Sequence, residues 1–318
     1  MIDTEKLIGI SSRDAFGLTL ADLAQNDPRI VALTADLAAS VRLADMIKIA
    51  PERVFNFGIA EQDMMGAAAG LALSGKIPFV TTFAVFASLR AAEQARTDIA
   101  YNSLPVRICA SHGGFGLAVG GATHHALEDI AIYRNMPGMT VIVPADGVEA
   151  SAAVRAVMDL PGPSYIRLSR PTEPTVYTTY EPFAIGKARR VTTGKDLTFI
   201  AYGGSVGYSL NAAELLKADG IHAGVVDMAT IKPLDIDAVL EAAKNSSAIM
   251  TVEEHNIIGG LGTAVAEVLA EAGVAIPFKR HGIYDHFTTA APYPELLALY
   301  KMDANGIAGT AREFLKKH

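Results

Sequence analysis

The chain comprises 318 residues, half of them hydrophobic and 19% charged, with a formal net charge of −7. That length favours two domains of ordinary size and allows a large buried core, while the acidic balance argues against nucleic acid as the main partner. No run of about 18 apolar residues is present, so the sequence predicts no membrane-spanning helix.

Residues 1–17, MIDTEKLIGISSRDAFG, carry Asp3, Glu5, Lys6, Arg13 and Asp14 around a short apolar stretch, which predicts neither a signal peptide nor an anchor. Runs IVALTAD (30–36), IPFVTTF (77–83), VRICAS (106–111), TVIVPAD (140–146) and SYIRLS (164–169) read as buried strands of a parallel sheet. Helical stretches are predicted near 12–26, 61–74, 86–103, 126–135 and 147–159. The one cysteine, Cys109, rules out a disulfide within the chain and favours a reducing, cytoplasmic setting. Residues 170–188, with three prolines among polar residues, break the rhythm and read as an interdomain linker. Alternation resumes with LTFIAYGG (197–204), HAGVVDMA (222–229), AIMTVEE (248–254) and FKRHGIYD (278–285). The expected fold is α/β in two domains, 1–172 and 191–318, joined by 173–190.

In open parallel sheets, ligands gather beyond the carboxyl ends of the strands. The polar residues that stand out do the same: Arg13 opens the first helix, Ser40 follows TADLAAS, Glu61 follows FNFGIA, His112 closes ICASH and Arg170 closes IRLSR. His124 and His125 lie in the glycine-rich loop GGFGLAVGGATHH. Each has an ordinary explanation. Glu61 suits the first turn of an Ala/Gly-rich helix through the helix dipole, with only Asp63 as a charged neighbour in sequence. Three of the eight histidines fall within 14 residues, yet no cysteine or HExxH-type spacing accompanies them, so no metal is assigned to this chain. Together, at strand ends, these residues favour one site.

GIAEQ with Glu61, TFAVF with Phe83 and Phe86, SHGGFGLAVGGATHHALED, PADGVE and IRLSR make the chain resemble transketolase, and more narrowly the C-terminal half of transketolase encoded as a separate subunit. The resemblance runs over nearly the whole chain, with IKPLD and EEHNIIGGLG in their expected order. It implies a pyrimidine-binding domain followed by a transketolase C-terminal domain, thiamine diphosphate as cofactor, and reversible transfer of a two-carbon ketol unit between sugar phosphates. Glu61 would hydrogen-bond the pyrimidine N1′, a role that suits a buried acid pushed towards its protonated form by desolvation. Phe83 and Phe86 would hold the pyrimidine ring; Leu89 stands where a tyrosine is usual. Arg13, Ser40, His112 and Arg170 match the residues that grip the substrate phosphate, and His124 the one facing the reacting end of the donor. His125 has no such counterpart.

One position departs from the family. The loop before that histidine usually reads Asp-Gly-x-Thr-His, whereas here it is Gly120-Gly121-Ala122-Thr123-His124. Glycine removes a carboxylate expected on a sugar hydroxyl and is expected to open space. Either Asp129 or water compensates, or specificity shifts towards a branched or non-hydroxylated sugar. The glycine-rich motif with a downstream Asn that holds the divalent ion, Mg2+, and the diphosphate is not found, so the resemblance implies a partner subunit carrying it, in an α2β2 heterotetramer. Three alternatives stay open: a 2-oxo-acid dehydrogenase β subunit, a deoxyxylulose phosphate synthase-like enzyme, and a nucleotide-binding module using GGSVG (203–207) or GGLG (259–262).

Overall fold

The computed structural model describes residues 2–317. In chain order the first part contains α1 (Ser12–Asn26), β1 (Ile30–Thr34), α2 (Ala44–Ile49), β2 (Val54–Asn56), α3 (Glu61–Leu73), β3 (Ile77–Thr81), α4 (Ala92–Gln94), β4 (Arg107–Ala110), α5 (Asp129–Asn135), β5 (Thr140–Ile142), α6 (Gly147–Ala156) and β6 (Ser164–Arg167). The second contains β7 (Arg189–Thr192), β8 (Leu197–Ala201), α7 (Gly204–Lys217), β9 (Ala223–Asp227), β10 (Thr230–Lys232), α8 (Ile236–Asn245), β11 (Ile249–Asn256), α9 (Leu261–Glu271), β12 (Phe278–Ile283), α10 (Tyr293–Leu299) and α11 (Ala304–Leu315).

Two sheets result, ordered β10-β5-β6-β4-β3-β1-β2 and β12-β11-β8-β9-β7. Their inner strands are parallel, and every residue of β1, β3, β4, β6, β8 and β9 is buried. Strands covered by helices on both faces need no polar alternate face, which is why they read as continuous apolar runs. Two pairs are antiparallel: β7 with β9 at one edge, and β10 with β5.

The β10 pairing positions the two parts. TIK leaves the second sheet's sequence and adds to the first sheet, Thr230 opposite Ile142. Ile231 is buried in the same core cluster as Val141, Val143, Tyr202 and Met228, so one hydrophobic core crosses between the sheets. Residues 170–188 form no helix or strand but are tied down. Glu173 accepts from Ser12 through both its backbone N–H (3.0 Å) and its hydroxyl (2.5 Å). Asp146, the N-cap of α6, accepts from the backbone N–H groups of Val176 and Tyr177 at 2.9 and 2.7 Å. Among the described residues, no helix is long and apolar enough to cross a membrane.

The glycine-bearing turns GGSVG and GGLG pack closely on the protein itself. Gly203 adopts φ +56° at the β8–α7 turn, where a Cβ would stand 3.2 Å from Val143. The buried Glu253 carboxyl group accepts from the N–H groups of Leu261 and Gly262, both at 2.8 Å, so the N-terminus of α9 is already occupied. The GGLG turn therefore offers no phosphate cradle.

Candidate active site

The site assembles at the carboxyl ends of the parallel strands of the first sheet. Glu61 is the first residue of α3, reached directly from β2, and is 1% exposed. The sequence offers only Asp63 as a charged neighbour; in space the Glu61 Oε2 accepts from Arg90 Nη1 at 2.7 Å, and Thr82 Oγ1 lies 3.5 Å from Oε1. Buried carboxylates require such a partner. Behind Glu61, α3 buries Met64, Met65, Ala68, Ala69 and Ala72 in the hydrophobic core.

The stretch after β3 carries the aromatic residues. Residues Phe86–Arg90 and Ala95–Ala100 are wound as π-helix on either side of α4, where a regular helix was expected. Such turns displace side chains from an α-helical register and recur at functional sites. The rings of Phe83 and Phe86 stack with centroids 5.9 Å apart and planes 19° from parallel. Phe83 packs on His112 at 4.0 Å, and Phe86 meets the edge of His124 at 5.4 Å. Phe86 carries the Arg90 guanidinium over its ring at 4.2 Å. Leu89, 55% exposed, adds no wall to this cluster.

A cationic group lies beside these rings. Arg13, 8% exposed, donates from Nη1 to the Ser40 carbonyl at 3.0 Å, while its buried Nε has no acceptor among the described residues. Its backbone N–H bonds Ser169 O at 3.3 Å, which places the start of α1 next to Arg170. His112 is held at φ +62°, a left-handed conformation rare outside glycine, with Nδ1 2.8 Å from Ser111 Oγ. Burial, reinforced by Arg13, Arg170, Arg42 and His124, pushes its imidazole down to about 3, so it is neutral at physiological pH. The same relation identifies Arg42 as a further member. Arg42 stands at φ +63° and pairs with Asp14, which also faces Arg13 at 3.8 Å.

Structure brings together Glu61, Phe83, Phe86, His112, His124, Arg13, Ser40 and Arg170, all expected at one site. Sequence reading missed Arg42 and Arg90. Arg42 lies two residues after Ser40 and Arg90 four after Phe86, but neither spacing alone marks an arginine as part of a site. His125 is structural: buried, with Nδ1 2.6 Å from Thr288 Oγ1 of the second domain and Nε2 2.9 Å from Ala118 O.

Two expectations for the loop at Gly120 are corrected. Glycine does not open space, because a Cβ there would stand 2.8 Å from Leu117 Cδ2 and 3.2 Å from His124 Cβ; Leu117 fills the volume. Asp129 cannot replace the missing carboxylate, since it is fully buried, 3.1 Å from Arg167 Nε, and accepts from the Tyr165 hydroxyl at 2.5 Å. No cluster of three metal-ligating side chains occurs among the described residues.

The chain is a two-domain α/β protein that gathers a buried acid, stacked phenylalanines and a group of cations at the strand ends of its first sheet. The transketolase pyrimidine-binding domain matches residues 9–174 and the transketolase C-terminal domain matches residues 186–307. The chain belongs to the transketolase family, whose members depend on thiamine diphosphate. It is 42% identical to one of the subunits of the apulose-4-phosphate transketolase of Phocaeicola vulgatus, over 97% of this chain and 98% of that protein. It is 39% identical to a 6-deoxy-6-sulfo-D-fructose transketolase subunit of a Clostridium species, over 96% and 94%. Among solved structures, a split-gene transketolase described as an inactive β4 tetramer superposes with a TM-score of 0.89 at 44% identity, covering 97% of this chain and 99% of that one.

Proposed function

We propose that this chain is the β-type subunit of a split transketolase and contributes the pyrimidine side of a shared thiamine diphosphate site. The observation that carries the reading is the convergence of buried Glu61, the stacked Phe83 and Phe86, and the histidines His112 and His124 within one continuous set of contacts. Thiamine diphosphate, when bound, supplies the carbanion chemistry of ketol transfer. Glu61 would hold the pyrimidine nitrogen, and the stacked Phe83 and Phe86 would wall the ring and exclude water. His124, T-shaped against Phe86, would stabilise oxyanion charge at the reacting end of the substrate. Arg13, Ser40, His112 and Arg170 hold the substrate phosphate, with the unpartnered Arg13 Nε as a donor ready for an anion.

The diphosphate and Mg2+ fall to a partner subunit, and the active assembly is an α2β2 heterotetramer. The sugar is one that does not use a carboxylate at position 120. The two named relatives are themselves transketolase subunits for apulose-4-phosphate and a sulfonated deoxyfructose. A loop carrying Gly120 with Leu117 packed in its place is in keeping with that variety.

The test is ketol transfer by the chain mixed with its partner, thiamine diphosphate and Mg2+, using linear and branched ketose phosphates. Transfer should occur only in the mixture and fall by about 10²- to 10⁴-fold in Glu61→Ala. Turnover of pyruvate in place of every ketose would replace this reading with a decarboxylating one.

A further inference from the structure

Resting on the proposed cofactor site, we infer that Arg90 sets cofactor affinity by occupying the pyrimidine position, and that binding displaces it. Arg90 makes two contacts with the residues assigned to the ring. Its Nη1 donates to Glu61 Oε2 at 2.7 Å, and its guanidinium lies over Phe86 at 4.2 Å. A planar, delocalised cation is the side chain best suited to mimic a flat, hydrogen-bonding heterocycle, since guanidinium stacks on aromatic faces and donates in its own plane. Glu61 has one further side-chain partner, Thr82 at 3.5 Å, so Arg90 is its main countercharge.

The two occupants compete. Arg90 takes one face of Phe86 and one oxygen of Glu61, the same groups assigned to the ring. Arg90 can leave because its side chain is 42% exposed and belongs to a π-wound segment. Release moves the cation towards solvent while the cofactor restores the lost contacts. The arrangement keeps the buried acid of an unloaded subunit satisfied at a cost in cofactor affinity.

The test is calorimetric titration of thiamine diphosphate into the Mg2+-containing two-subunit complex. Arg90→Met should tighten Kd by about five- to tenfold, the competition expected from one half-exposed ion pair and one cation–π contact. Arg90→Lys, which keeps the charge but not the planar stack, should tighten it less and guards against a misfolded Arg90→Met. Glu61→Ala should weaken Kd, and adding Arg90→Met to Glu61→Ala should recover only the part due to Phe86. Unchanged or weaker binding in both Arg90 variants, with Glu61→Ala still weakened, overturns the role of Arg90 alone. Unchanged binding in Glu61→Ala overturns the cofactor site and this inference with it.

Discussion

At the scale of single residues, the site is a contest for few partners. Arg13 is buried with one donor unused, and His112 is neutral because burial and the neighbouring guanidiniums disfavour its charge. Arg13→Met should therefore raise KM for phosphorylated substrates about 10- to 100-fold, the worth of one or two charge-assisted hydrogen bonds. Cofactor Kd should stay unchanged, and steady-state kinetics beside calorimetry separates the two. Gly120→Asp places a Cβ against Leu117 and should cost about 1–3 kcal/mol of stability by overpacking. A denaturation midpoint restored by adding Leu117→Ala would identify that contact as the cause. The candidate residues were legible because catalytic side chains stand at strand ends beside glycines and small residues. Arg90 and Arg42 were not, since an arginine on a helix or loop reads as an ordinary solvated charge until its partner is known. Leu117 was missed for a related reason: what fills the volume beside a glycine is decided by packing, which no single position reveals.

At the scale of elements, apolar runs located the inner strands because burial on both faces leaves no other pattern. The short pieces escaped. β10 is three residues long and β7 alternates between half-buried and exposed, too little periodicity to separate strand from loop. β10 matters most, because Ile231 (1% exposed) carries the second part of the chain into the core of the first. Ile231→Ala should lower stability by about 2–5 kcal/mol. The loss should appear as one cooperative transition followed by circular dichroism at several wavelengths. Two separated transitions in the wild-type chain would mean that the sheets unfold independently. The π-wound segment was likewise invisible to a helical period, although its residues were correctly placed after β3.

At the scale of the whole molecule, buried acids tie the parts together and give stability a pH dependence. Glu173 joins residues 170–188 to α1, and burial pushes its carboxyl up to about 8. A carboxyl raised in the folded state binds its proton more tightly there than in the unfolded chain. Its contribution is full below the unfolded value of 4.5 and is lost as pH rises towards 8. Glu173→Gln should therefore gain on the wild type between these limits, by at most about 1.4 kcal/mol per pH unit, as read from melting temperatures at pH 5 and 8.5. A melting temperature of the variant minus that of the wild type that stays flat or falls from pH 5 to 8.5 would exclude this titration.

The proposed shared cofactor site requires a second subunit beside Glu61 and the two phenylalanines. The most direct measurement is the stoichiometry of thiamine diphosphate bound by this chain alone, by its diphosphate-binding partner alone, and by their mixture with Mg2+. Tight binding confined to the mixture, one cofactor for each pair of chains and weakened in Glu61→Ala, is the expected result. Tight binding by this chain alone, or binding by the mixture that is indifferent to Glu61, would contradict a shared site built on this carboxyl group.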